Sequence, residues 1–98
     1  MKTITAIIRC KPGTEEVMKS ALLEVAEHVR KNEPDTIGFY LSQDESDPCL
    51  FTTYERFRDQ GAMDRHNNSD AVGIFFNIAK PILDGDVTLV TCDEFSQR

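Results

Sequence analysis

An antiparallel sheet of four strands with two helical segments on one face, in the order β-α-β-β-α-β, is the architecture this 98-residue sequence predicts. Three features point there. In the stretch 14–31, Met18, Ala21, Leu22, Val25, Ala26 and Val29 form one stripe at helical spacing. Residues 36–43 and 50–57 are strand-like runs joined by Asp44-Glu45-Ser46-Asp47-Pro48, a hairpin connection with no room for a helix. A second helical stripe, Ala71, Ile74, Phe75, Ile78 and Ile82, is stopped near Lys80, because Pro81 removes a helix hydrogen bond and clashes with the carbonyl of Asn77.

Residues 3–10 alternate as a strand, with Ile4, Ala6, Ile8 and Cys10 on one face and Thr3, Thr5, Ile7 and Arg9 on the other. Pro12-Gly13 turns the chain, and Thr14 is expected at the N-cap of the first helix. Glu15 and Glu16 suit the positive end of its dipole, and Arg30 and Lys31 suit the other end. Pro34 prevents much continuation. His28, beside the apolar stripe, reads as a solvated flank residue. The second strand presents Ile37, Phe39 and Leu41 to one side and Tyr40 to the other. After the third strand, Asp59 is expected to cap a short helix carrying Ala62, Met63 and His66. Asn67-Asn68-Ser69-Asp70 separates this helix from the next, Asp84-Gly85-Asp86 is a turn, residues 87–92 are a last strand, and 93–98 are a tail. With its second helical region split in two, this order is that of a ferredoxin-like α+β sandwich over residues 1–98, one domain.

Composition excludes several classes of function. A net charge of −6 without clustered Lys or Arg argues against nucleic acid and anionic membrane as partners. No apolar run approaches a membrane span, Met1-Lys2-Thr3 leads straight into a strand, and a cytoplasmic protein is expected. Cys10, Cys49 and Cys92 are odd in number and widely spaced, so they read as reduced thiols at strand ends rather than as a disulfide or zinc framework. The acidic run 44–47 lacks calcium-loop spacing and reads as a solvated turn. No metal-ligand cluster, Gly-rich dinucleotide loop or flavin motif is present, so neither a metal nor a cofactor is expected.

The chemistry concentrates in residues 50–70, LFTTYERFRDQGAMDRHNNSD. The third strand carries a carboxylate, Glu55, and the short helix an imidazole, His66. These elements adjoin, so the two groups form a candidate proton-handling pair. Glu55 has a competing use, pairing with Arg9 or Arg56 across the sheet or at a subunit seam. The run from Phe51 to His66, with the opening MKTITAIIRCKPGTEE, resembles the antibiotic biosynthesis monooxygenase family over nearly the whole chain.

The resemblance implies a pocket within each subunit, between sheet and helices, for a small aromatic or quinone-like ligand. Its substrate-binding residues would be Ile8, Tyr54, Phe57, Met63, Phe75, Phe76 and Asn77, with Ile4 and Ala6 also on its walls. His66 would be the catalytic base and Glu55 its partner, with Asn77 or Tyr54 donating to a developing oxyanion. It also implies a dimeric α/β barrel. That agrees with the second sheet face, where Ile7, Tyr40 and one parity of the third strand are too apolar for water, and a homodimer is expected. The implied activity is a cofactor-independent monooxygenase acting on a small electron-rich aromatic or quinol substrate with dioxygen. Two alternatives stand beside it: an isomerase of small hydroxy-ketones, as in autoinducer-processing relatives, and a non-catalytic dimeric module binding a small aromatic metabolite. Two departures from family patterns matter. Relatives with a second histidine five positions after the first have Ala71 as its counterpart here. Heme-degrading relatives carry Asn, Trp and a heme-ligating His where this chain has Ile8, His66 and Phe76, so heme binding is not expected.

Overall fold

The computed structural model describes residues 1–98. Strand β1 (Lys2–Arg9) leads through a turn to helix α1 (Glu15–Asn32), then to the hairpin of β2 (Thr36–Gln43) and β3 (Leu50–Phe57). Two helices follow, α2 (Gln60–Asn67) and α3 (Asp70–Ala79). A 3-10 turn at Lys80–Ile82 then leads to β4 (Thr88–Asp93). The sheet is antiparallel with strand order β2-β3-β1-β4, which is the ferredoxin-like topology, and its two central strands carry the site.

Local chemistry explains most boundaries. Gly13, with φ of 90°, makes the turn into α1. Thr14 occupies the N-cap position without capping: its hydroxyl donates back to the Lys11 carbonyl at 2.6 Å, and no side-chain cap forms. Asp59 does cap, accepting from the Ala62 amide at 2.9 Å and so starting α2 directly after β3. Ser69 starts α3 in the same way. The second strand departs from strict alternation. A bulge between Thr36 and Gly38 lifts Ile37 out of the ladder and leaves it 39% exposed, while Phe39 and Leu41 still face the helices.

All helices pack on one face of the sheet. The main core joins Ala6, Ile8 and Phe51 from the strands to Met18, Leu22 and Val25 of α1 and Phe75 of α3. A smaller cluster under α2 holds Ile4, Phe57, Ala62 and Met63. Cys10 and Cys49 end β1 and β3 as cross-strand neighbours, both buried, with the Cys10 amide bonded to the Cys49 carbonyl at 2.9 Å. Burial, helped by a hydrogen bond with Cys10, holds the Cys49 thiol above its ordinary range and hence protonated. No helix is long and apolar enough to cross a membrane.

Candidate active site

The register of β3 decides what the site contains. Glu55 lies opposite Ile4 of β1 and Phe39 of β2, so with period two it shares the helix-covered face with Phe51, Thr53 and Phe57. The cap at Asp59 then sets α2 across that face. His66, near its C-terminal end, comes down on Glu55 at the seam between the two core clusters. The ring is 3% exposed, flanked by Phe39 and Phe57 at centroid distances of 5.5 and 5.3 Å.

Both ring nitrogens meet carboxylates. His66 Nε2 lies 3.2 Å from Glu55 Oε1, and Nδ1 lies 2.8 Å from Oε1 of Glu33, at the C-cap of α1. Glu55 Oε2 accepts from the Thr53 hydroxyl at 2.7 Å, and Glu33 Oε1 accepts from Thr36 at 2.7 Å. Burial alone pulls the His66 pKa down. The hydrogen bonds to Glu55 and Glu33, with the charges of both carboxylates, more than offset that, and it ends above the ordinary histidine value. Nδ1 is hydrogen-bonded to Glu33 and Nε2 faces Glu55 at 3.2 Å, so both edges of the ring favour holding a proton. The carboxylates take opposite edges of the ring, and no three His, Cys, Asp or Glu side chains converge to hold a metal ion.

Glu55 and His66 open onto a pocket of about 80 Å³ between the sheet and α1 and α3. Its walls are chiefly apolar, with Ile8, Leu22, Phe39, Phe75 and Phe76 among them, and Val87 and the half-exposed Leu89 also contribute. The polar groups in it are Thr53, Glu55, His66 and Asn67.

Of the residues expected to bind substrate, Ile8, Phe75 and Phe76 line this pocket together with Glu55 and His66. Four do not. Tyr54, one residue from Glu55, necessarily points to the opposite sheet face, where its hydroxyl donates to Glu94 at 2.8 Å. Phe57 and Met63 are packed in the cluster under α2, and Phe57 reaches the site only through its contact with His66. Asn77 lies in a shallow groove along the outside of α3. The Asn in the pocket lining is instead Asn67, and the second polar partner of the ring is Glu33; sequence reasoning missed both. The competing pairing for Glu55 is absent, because Arg9 pairs with Asp47 and Arg56 with Glu94. His28, read as a solvated flank, has Nε2 2.9 Å from Glu33 Oε2.

A ferredoxin-like domain with a buried histidine between two carboxyl groups beside a chiefly apolar pocket is the class that fold and site define. The pattern of the antibiotic biosynthesis monooxygenase family matches residues 1–77, and the chain belongs to that family. Solved structures agree in fold. One described as an antibiotic biosynthesis monooxygenase is 24% identical with a TM-score of 0.89, the match covering 98% of this chain and 100% of that one. PA3566 from Pseudomonas aeruginosa is 26% identical with a TM-score of 0.87, over 97% and 94% of the two chains. SO0527 from Shewanella oneidensis is 24% identical with a TM-score of 0.85, over 93% and 87%. No curated protein matches the chain.

Proposed function

We propose that the protein is a cytoplasmic, homodimeric, cofactor-independent monooxygenase that oxidises a small electron-rich phenol or hydroquinone with dioxygen. The observation that carries this reading is His66, held between Glu33 and Glu55, lining with Glu55 a chiefly apolar pocket. In this reading His66 holds a proton between the two carboxyl groups, Glu55 is the base that faces the substrate, and the ring behind it is the acid. Glu55 takes the phenolic proton. The anion, held among apolar walls, is electron-rich enough to give an electron to dioxygen, and the radical pair combines at a ring carbon. His66 protonates the resulting peroxide, and water leaves. For a hydroquinone the product is a hydroxyquinone: one oxygen atom enters the ring, the other leaves as water, and the substrate supplies all four electrons. Asn67, in the pocket lining, would be the donor to the developing oxyanion.

Pocket size selects the substrate. An enclosed cavity of about 150 Å³ accommodates benzene, so 80 Å³ with an open mouth favours a single ring over a multi-ring quinol. The homodimer rests on the outer sheet face, where Ile7, Tyr40, Tyr54 and Val90 are 44%, 56%, 39% and 48% exposed in one chain.

The test is oxygen uptake with methylhydroquinone above its autoxidation rate, with isotopically labelled dioxygen to show one labelled atom in the product. Uptake lost in His66→Ala supports the reading. The same geometry, a carboxylate base beside an imidazolium acid, favours a second one: isomerisation of a small hydroxy-ketone through an enediol. That reading gains if a hydroxy-ketone turns over without oxygen uptake. A protein that binds the hydroquinone, shown by thermal stabilisation, yet turns over neither substrate is a binding module instead.

A further inference from the structure

Cys10 and Cys49 are far apart in the sequence, and the sheet makes them neighbours. The pairing of β1 with β3 runs to Arg9 opposite Leu50. One step further Cys10 faces Cys49, and the Cys10 amide donates to the Cys49 carbonyl at 2.9 Å. By period two both side chains fall on the helix-covered face, Cys10 in line with Ile8 and Cys49 in line with Phe51, and all four are buried in the main core. We propose that Cys10 and Cys49 are a redox-active pair, which hydrogen peroxide closes into a reversible disulfide joining the end of β1 to the β2–β3 hairpin.

The spacing suits the bond. Opposed residues that share a ladder hydrogen bond have Cα atoms about 5.5 Å apart, inside the range that disulfides span. The two thiols already interact, since the Cys10 side chain is a hydrogen-bond partner of Cys49. Their backbones are held in place from both sides. Around Cys10, the Lys11 amide donates to the Ile82 carbonyl and the Asp84 amide to the Arg9 carbonyl, each at 2.8 Å. The Cys49 amide donates to Asp47 Oδ1 at 3.0 Å, and Arg9 pairs with the same Asp47. That amide makes no bond to the Cys10 carbonyl, so the second ladder bond is missing and the strand ends can draw together as the sulfurs join.

The chemistry balances with peroxide as the oxidant. Cys49, 8% exposed against 0% for Cys10, is the sulfur that peroxide reaches. As a thiolate it takes one peroxide oxygen to become a sulfenic acid, and the other leaves as hydroxide, which the thiol's own proton turns into water. The Cys10 sulfur then attacks the Cys49 sulfur, and the sulfenic oxygen departs with the Cys10 proton as a second water. Two thiols have lost two electrons and two hydrogens, and one peroxide has become two waters. Burial, then the Cys10 thiol and the charges of Glu15 and Asp47, hold Cys49 protonated, so the first step is slow. The second is intramolecular and fast. The pair therefore answers sustained oxidation and ignores a brief pulse. Once closed, the loop from residue 10 to residue 49 contains α1 and β2, and the cross-link stabilises the folded chain. Ile8, two residues from Cys10 on the same face, belongs to the pocket wall that the bond would fix.

The test uses the full chain carrying Cys92→Ser, which removes the exposed third thiol. It is treated with excess hydrogen peroxide over hours, alkylated to block free thiols, and digested without reductant for mass spectrometry. The expected product is a peptide pair linking Cys10 to Cys49 within one chain, lighter by two hydrogens and separated by dithiothreitol. The melting temperature should rise by at least about 5 °C on oxidation and return on reduction. Cys10→Ala and Cys49→Ala, each compared with its own untreated form, should show no such rise. Three results overturn the proposal: sulfinic acid at Cys49 with Cys10 still alkylated, both thiols alkylated after the full treatment, or disulfides found only between chains. Should an alanine variant fail to fold, the linkage in the Cys92→Ser chain decides alone.

Discussion

The two faces of the sheet treat the same kind of residue in opposite ways. In β3, Glu55 and Arg56 are neighbours in sequence, yet one is sealed under α2 and the other lies on the uncovered face. Arg56 finds Glu94, with Tyr54 donating to the same carboxylate, in a network whose members keep their usual charges: the Arg56 guanidinium is pushed up and the Glu94 carboxyl down. Glu55 finds no guanidinium, only an imidazole that must be shared with a second acid. An arginine cannot give up its proton near neutral pH; a histidine can. The covered face therefore holds the candidate proton-transfer groups, and the open face holds fixed charge and exposed apolar area.

The largest effect that would break this comparison is catalytic. His66→Ala and Glu55→Gln should each lower hydroquinone-dependent oxygen uptake by roughly 10²–10⁴-fold, the usual range for a positioned acid or base. Arg56→Gln, on the other face, should leave the rate per folded subunit within about twofold, because its pair with Glu94 lies on the side of the sheet away from the pocket. Equal losses from both faces would mean that the measurement reports folding rather than chemistry.

Core packing comes next. Phe57 is fully buried beneath α2 and against His66, and Phe57→Ala should cost about 3–5 kcal/mol in urea unfolding. Tyr54→Ala, three residues earlier on the open face, should show a loss that depends on protein concentration if a second copy covers that face. Sedimentation equilibrium at micromolar concentration gives the direct check. A stable folded monomer of the wild-type chain contradicts the dimer, and Ile7→Lys with Tyr54→Lys should shift a dimer toward monomer.

These outcomes also show what could be seen in the sequence. The fold was legible because the periods are clean: a stripe of six apolar residues in α1, alternation in β1 and β3, and Asp59 and Pro81 as working boundaries. Glu55 and His66 could be paired because only a capped turn separates their elements. The placement of Tyr54 was a parity error that period two could have prevented, since a pocket that takes Glu55 excludes its neighbour. Asn77 is similar: on α3 it lies two residues from the buried Phe75, and residues at that spacing do not share a helix face. Ile37 was displaced by a bulge that has no sequence signal beyond Gly38. Glu33 was missed because it ends α1 as a charged residue four past Val29, and 33 residues before His66. Only the packing of the α1–β2 connection against α2 brings it to the ring.

The smallest expected effect is a pH dependence of stability, and its sign separates the two faces. His66 binds its proton more tightly folded than unfolded, since its pKa is raised above 6.5 by two carboxylates. A group raised on folding contributes stability that is complete below the unfolded value and lost as pH rises through the folded one. Stability should therefore fall from about pH 6.5 upward until the folded value is passed, because the native state holds the extra proton in that window. Tyr54, raised by its hydrogen bond to Glu94, and Cys49, raised by burial, start from ordinary values of 10.0 and 9.0, so their losses begin at higher pH. Glu27, held down to about 2 by Arg30 and Lys31, acts only on the acid side. Urea midpoints at about pH 6 and about pH 8.5 should thus decline in the wild-type chain and in Arg56→Gln. His66→Gln should flatten the decline, because its amide does not titrate. A decline of the same size in His66→Gln would place the responsible proton elsewhere and remove the physical basis for treating the ring as the cationic member of the site.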